Sequence, residues 1–169
     1  MSRQYSSQEM LARLVAFPTV SANSNLDLID FVETYLAGHG IASQRVPDAT
    51  GTKAALHAVI GPQKDGGVAL SAHTDVVPVE GQAWSSDPFT LREADGRLYG
   101  RGTCDMKGFA ALMLAGVPGM VKADLKRPIH LALSYDEEVG CLGAPPMIDD
   151  MLGDGPRPST AIIGEPSMM

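Results

Sequence analysis

Two cysteines, Cys104 and Cys141, are all that the chain holds, and its aromatic residues are one tryptophan, four tyrosines and four phenylalanines. So few thiols exclude a disulfide framework and point to a reducing compartment, the cytoplasm. No apolar run approaches the roughly 20 residues of a membrane span. The opening Met1-Ser2-Arg3-Gln4-Tyr5-Ser6-Ser7 lacks the basic and apolar regions of a secretory signal. Basic residues are also scarce, 13 against 20 acidic, which leaves a net charge of −7 with no Lys/Arg cluster. That field repels phosphate backbones and anionic lipid, and argues against nucleic acid and membranes as partners.

What remains is a folding composition. With 44% hydrophobic and 20% charged residues, the chain lies far from the regime of disordered sequences. Its 169 residues have the length of one ordinary domain. Ser6 and Glu9 form a capping-box pattern ahead of Met10, Leu11, Leu14, Val15 and Phe17, a first helix that Pro18 stops. Leu26, Ile29, Val32 and Leu36 predict a second helix, ended by Gly38-His39-Gly40. Extended segments follow at 41–46, 54–60 and 68–72, and a hairpin of 89–93 with 97–99 turns at Asp95-Gly96. A helix is predicted over 108–121, which Pro118-Gly119 should kink or shorten. A strand at 129–135, a short helix at 145–152 and a last strand at 160–164 complete the pattern. Alternating strands and helices imply an α/β three-layer sandwich around a mostly parallel or mixed sheet.

Four acidic or histidine clusters follow predicted strands or sit in strand-proximal loops, and the carboxyl ends of strands are where α/β sites assemble. His73 ends an apolar strand with Asp75 two residues on. This pairing suits a metal ligand whose second ring nitrogen is held by a carboxylate, and equally a satisfied core histidine. Asp105 lies in a Gly-rich loop before a helix; its two oxygens could bridge a pair of cations or simply cap the helix. Glu137 and Glu138 are adjacent acids that repel in a dry site unless one holds a cation and the other shares a proton with water. Glu165 stands at the mouth of the apolar run 161–164 with no basic neighbour in sequence. Cys104 has no local His base, and reads as a small packing residue rather than a thiolate. Each cluster has a bland explanation alone, but four at successive strand ends favour a common cation site.

The segments Ser71-Ala72-His73-Thr74-Asp75-Val76-Val77-Pro78, Gly100-Arg101-Gly102-Thr103-Cys104-Asp105-Met106-Lys107-Gly108 and Asp136-Glu137-Glu138-Val139-Gly140 resemble the acetylornithine deacetylase and succinyl-diaminopimelate desuccinylase family of metallo-amidohydrolases. The likeness runs from Phe17-Pro18-Thr19-Val20-Ser21 to Gly164-Glu165-Pro166-Ser167. Within the family, the stretch from Trp84 through Gly100 and the segment 161–166 look most like the acetylornithine deacetylase branch. The resemblance implies a zinc-exopeptidase-like fold in which His73, Asp105 and Glu165 hold one Zn2+ and Asp105 bridges to a second on Glu138. Asp75 would orient His73, Glu137 would be the general base, and the Asp105–Met106 peptide would be cis. Cobalt or manganese could stand in for zinc at such nitrogen and oxygen donors.

The implied reaction is hydrolysis of the N-acetyl amide of a small N-acyl amino acid, N2-acetyl-L-ornithine first, a step of arginine biosynthesis. A zinc peptidase, dipeptidase or desuccinylase of the same fold is the alternative. Members of the family continue into a lid domain that makes a homodimer, then return to complete the catalytic domain with a histidine on the second zinc. Residues 1–169 therefore read as the N-terminal part of the catalytic domain, with lid and C-terminal part absent. His39, His57 and His130 do not match the missing ligand. The expectation for this chain alone is weak binding of one zinc, little or no turnover, and sheet edges and apolar surface left uncovered.

Overall fold

The computed structural model describes residues 3–153 and 155–167. Helix α1 (Ser7–Val15) starts on the box read from sequence: the Ser6 hydroxyl accepts the Glu9 amide, and the Glu9 carboxylate accepts the Ser6 amide. Helix α2 (Leu26–Gly38) and strands β1 (Ser43–Pro47), β2 (Ala54–Ile60) and β3 (Val68–His73) follow. A hairpin of β4 (Arg92–Ala94) and β5 (Arg97–Tyr99) leads to α3 (Lys107–Lys122), β6 (Ile129–Ser134), α4 (Ala144–Leu152) and β7 (Thr160–Ile163).

The main sheet has the order β1-β2-β6-β3-β7, antiparallel from β1 to β6 and parallel from β6 to β7. This is the mixed α/β sandwich that the alternation predicts. Leu56, Ala58 and Ile60 of β2, Leu131 and Leu133 of β6, and Ala72 of β3 face one way, into a core shared with α1, α2 and α3. Ala55 and Ala132 face the other way, against Met147 of α4 and Tyr135. Strand β7 is an edge whose four residues are exposed, so an uncovered sheet edge is present as expected.

Two predicted elements come out differently. Pro118 neither stops nor shortens α3, which runs through it to Lys122. Proline removes the amide that would bond the carbonyl four residues back, and here that carbonyl, Leu114 O, accepts the Tyr35 hydroxyl at 3.1 Å. The strand read at 89–93 is only Arg92–Ala94. Phe89 N and Thr90 Oγ1 are instead drawn into a turn by the Asp87 carboxylate at 2.9 and 2.8 Å, as aspartates at turn starts do. The Asp95-Gly96 turn itself is as read, with both residues at positive φ, 51° and 69°, the hairpin geometry that matches strand twist.

Register positions the site. His73 pairs with Ser134 across the parallel β3–β6 ladder, so the chain leaves both strands at one level. Ser71 pairs with Ile163 of β7, and the same register carried two residues on brings Glu165 level with His73. Gly164 makes this passage possible: a Cβ there would lie 1.9 Å from the Phe109 ring, so only glycine lets the chain cross α3.

Candidate metal centre

His73 is the buried pivot of the site, its side chain 1% exposed, while Asp105, Glu137 and Glu165 are 49%, 36% and 38% exposed around it. Its Nε2 lies 3.1 Å from Asp105 Oδ1, 3.4 Å from Glu165 Oε1 and 3.9 Å from Glu137 Oε2. Donors on a tetrahedral zinc at about 2.0–2.2 Å stand about 3.3–3.6 Å apart, so these separations suit a shared small cation. Two overlapping groups have ligand atoms all within 4.8 Å of one another: His73 with Glu137 and Glu165, and His73 with Asp105 and Glu138. All five metal and base candidates from the sequence thus converge. The grouping differs in one respect, because Glu137 sits among potential ligands rather than apart from them. One ring nitrogen has one lone pair, so His73 can serve one cation, and the carboxylates divide around that choice.

Asp75 stands behind this front rank. His73 Nδ1 meets the Asp75 carbonyl at 2.9 Å and its carboxylate at 3.4 Å, so backbone and side chain both hold the ring. The carboxylate also accepts Ser21 Oγ at 2.6 Å, Glu137 N at 3.1 Å and Glu138 N at 3.3 Å. It therefore fixes the imidazole and the start of the Glu137-Glu138 loop together, as second-rank carboxylates at metal sites do. Beneath it, Thr74 donates from Oγ1 to Ser134 O at 2.8 Å. Asn25 grips Ala54 by both side-chain ends and donates to Thr74 Oγ1. The Asp105–Met106 peptide ahead of α3 is cis, as the resemblance implies.

Charge is concentrated here. Burial works against protonating His73, but Asp75, Glu165 and Asp105 outweigh it and raise its pKa to about 9. Burial also opposes ionisation of Asp75, and the His73 ring, the Ser21 hydroxyl and the Glu137 amide overcome it to hold that carboxyl below its usual range. Glu138 is raised by burial and then by Asp105. Glu165 is raised by burial and by Asp105 and Glu137, with His73 opposing. Carboxyl groups pushed toward their neutral forms by one another are relieved by a cation at their centre.

Several contributors were not legible. Ser21, Asn25 and Lys53 carry no local signal, because each acts on a partner many residues distant. Lys107, two residues past Asp105 and buried, donates from Nζ to Leu14 O and Phe17 O at 3.0 and 2.7 Å. Burial draws its pKa down to about 7, with Asp75 opposing. Cys104 is exposed and not a packing residue; it lines a hollow of about 140 Å³ with Asp105 and Glu138. Among the described residues, His57 and His130 join neither group; His57 Nε2 instead meets Asp150 Oδ2 at 2.6 Å.

The chain is 39% identical over 169 residues to an acetylornithine deacetylase of Shigella sonnei, an alignment covering 95% of this chain and 43% of that protein. It is 36% identical to an acetylornithine deacetylase of Pasteurella multocida, over 95% and 43% of the two chains. The chain therefore spans less than half the length of these relatives. Among solved structures, an M20 family metallo-carboxypeptidase of Sulfolobus solfataricus superposes with a TM-score of 0.79 at 21% identity, covering 98% of this chain and 38% of that one. Human carnosine dipeptidase 1 gives 0.72 at 22%, over 96% and 39%. The sequence profile of Peptidase family M20/M25/M40 matches residues 69–169, a stretch that holds His73, Asp105, Glu137, Glu138 and Glu165, and the chain belongs to that family.

Proposed function

We propose that this chain carries the metal-binding part of an amidohydrolase that cleaves the N-acetyl amide of a small acetylated amino acid, N2-acetyl-L-ornithine first, to free amine and acetate. The observation that carries the reading is the gathering of four carboxylates from successive segments around one imidazole, in two overlapping groups that share His73. The names of the curated relatives favour a deacetylase over a dipeptidase, since the peptidases among the solved structures share only the fold.

In this reading His73, Asp105 and Glu165 would hold one zinc, and Glu138 together with Asp105 would hold a second. Bound zinc would supply Lewis acidity toward the acyl oxygen and a water of pKa near about 7. Glu137 takes a proton from the attacking water as the new C–O bond forms. It returns that proton to the nitrogen as the C–N bond breaks, so that amine and acetate leave and the carboxylate is regenerated. Asp75 keeps the His73 ring in the tautomer whose Nε2 faces the cation. No side chain of the protein becomes acylated.

The test has two parts. Acetate release from N2-acetyl-L-ornithine is measured for a full-length protein containing this sequence and for its Glu137→Gln form. We expect a loss of about 10²–10⁴-fold in kcat for the variant. Turnover near the parent rate would remove Glu137 from the base role, and cleavage of dipeptides with no action on acetylated amino acids would move the assignment to the peptidase branch.

A further inference from the structure

Lys53 lies just before β2, 16% exposed, with its backbone fixed by a turn in which Lys53 N donates to Asp48 Oδ1 and Asp48 N to Lys53 O. Its Nζ donates to two acceptors at 2.5 Å, Asp136 Oδ1 and the backbone carbonyl of Ser21. These acceptors belong to the two loops that meet on Asp75. Ser21 donates its hydroxyl to the Asp75 carboxylate, and Asp136 begins the turn from which Glu137 N and Glu138 N donate to that same carboxylate. The contacts form a closed ring running through Lys53, Ser21, Asp75, the Glu137-Glu138 backbone and Asp136. Asp136 has φ of 57°, a left-handed conformation, and its side chain is only 10% exposed. The turn that aims Glu137 and Glu138 is thus gripped at its first residue by the Lys53 ammonium.

We propose that Lys53 is a positioning residue of the metal centre, which sets the spacing between Asp75 and the Glu137-Glu138 turn by holding the 21 and 136 backbones together. The proposal rests on reading the cluster as a metal site. A surface ion pair would not carry it, since such pairs contribute little. This pair is nearly enclosed, and its ammonium is also tied to a carbonyl on the opposite loop, so removing it loosens both walls around Asp75. Among the described residues the Lys53 ammonium bonds Ser21 O and Asp136 rather than a candidate ligand, and its effect passes through the Asp75 carboxylate and the Glu137-Glu138 backbone.

The experiment is zinc titration of the chain against a competing chelator, with Co2+ visible absorption recorded in parallel. It compares wild type, Lys53→Met, Lys53→Arg, the double variant Lys53→Met/Asp136→Asn, and His73→Ala as reference. Loss of second-rank partners weakens metal sites by about 10–100-fold, and that fold-change is expected for Lys53→Met, with an altered Co2+ spectrum. Arginine, which can reach both acceptors, should recover most of it. The double variant removes the charge imbalance together with the grip, and should bind as weakly as Lys53→Met. Wild-type zinc affinity and an unchanged Co2+ spectrum in the double variant would overturn the proposal, even if its melting temperature fell. Absence of zinc binding by the wild-type chain would instead strike the metal-centre reading and this inference with it; a wild type that binds and a Lys53→Met chain that binds equally well would sink only the inference.

Discussion

The two faces of the sheet are built differently. On one, α1, α2 and α3 bury Met10, Leu14, Ile29, Leu36, Leu56, Leu114, Leu131 and Leu133 to within 2% of full enclosure. On the other, α4 presents Met147 to Ala55, Ala132 and Tyr135, while Ile148, Leu152 and Ile163 stay 47%, 39% and 64% exposed. Between α4 and β7 runs an apolar hollow of about 550 Å³, and His73, Glu137 and Glu165 are among the residues that line it. The sealed face fixes the strands, and the open face leads to the chemistry. An enclosed His73 beside half-exposed carboxylates reproduces this division inside the site itself.

The contrast predicts unequal costs of truncation. Leu133→Ala on the sealed face should destabilise by about 2–5 kcal/mol, through lost burial and a residual cavity. Ile163→Ala on the open face should change stability by less than about 0.5 kcal/mol. Chemical denaturation of both variants checks this, and equal losses would show that the open face is packed more tightly than its exposure indicates.

Within the site, a cation should stabilise the fold through the pivot. At zinc one hundredfold above the dissociation constant, linkage gives about 2.7 kcal/mol. That increment should vanish in His73→Ala, measured as the zinc-dependent rise in melting temperature, whereas Glu137→Gln should retain much of it if Glu137 is the base rather than an essential ligand. A complete loss in Glu137→Gln would favour the grouping in which Glu137 binds metal.

His73, Glu137, Glu138 and Glu165 were legible because apolar strands and the residues at or just past their ends are contiguous in sequence, and Asp105 was legible from the Gly-rich loop ahead of α3. So was the Asp95-Gly96 turn. The loop partners were not. Ser21 meets Asp75, 54 residues on, and Lys53 meets Asp136, 83 residues on. Such contacts depend on which strands become neighbours, and the order β2-β6-β3 is set by tertiary packing rather than by any local pattern. Cys104 misled for a related reason: small residues in Gly-rich loops are equally compatible with packing and exposure, and only the neighbouring Asp105 and Glu138 decide the case.

Acidity should oppose the cation. With its pKa at about 9, the metal-free His73 ring is protonated at neutral pH. A metal must displace that proton, so affinity should rise as pH increases toward about 9 and level off above it. Each pH unit below that point corresponds to up to tenfold in affinity, about 1.4 kcal/mol. Zinc titration calorimetry in buffers of different ionisation enthalpy reports the proton released at pH 7. Release of none would mean that His73 is neutral before the metal arrives.

A further substitution tests the sealed face where Pro118 lies inside α3. The Tyr35 hydroxyl satisfies Leu114 O, the carbonyl that Pro118 deprives of its helical amide. Tyr35→Phe should therefore cost about 1 kcal/mol, the usual net value of one hydrogen bond with some penalty for the unpaired carbonyl. In a Pro118→Ala background the amide of residue 118 can reach Leu114 O, and the same tyrosine substitution should cost less. A double-mutant cycle by thermal denaturation isolates that coupling. A coupling of zero would mean that α3 passes through Pro118 without help from the Tyr35 hydroxyl of α2.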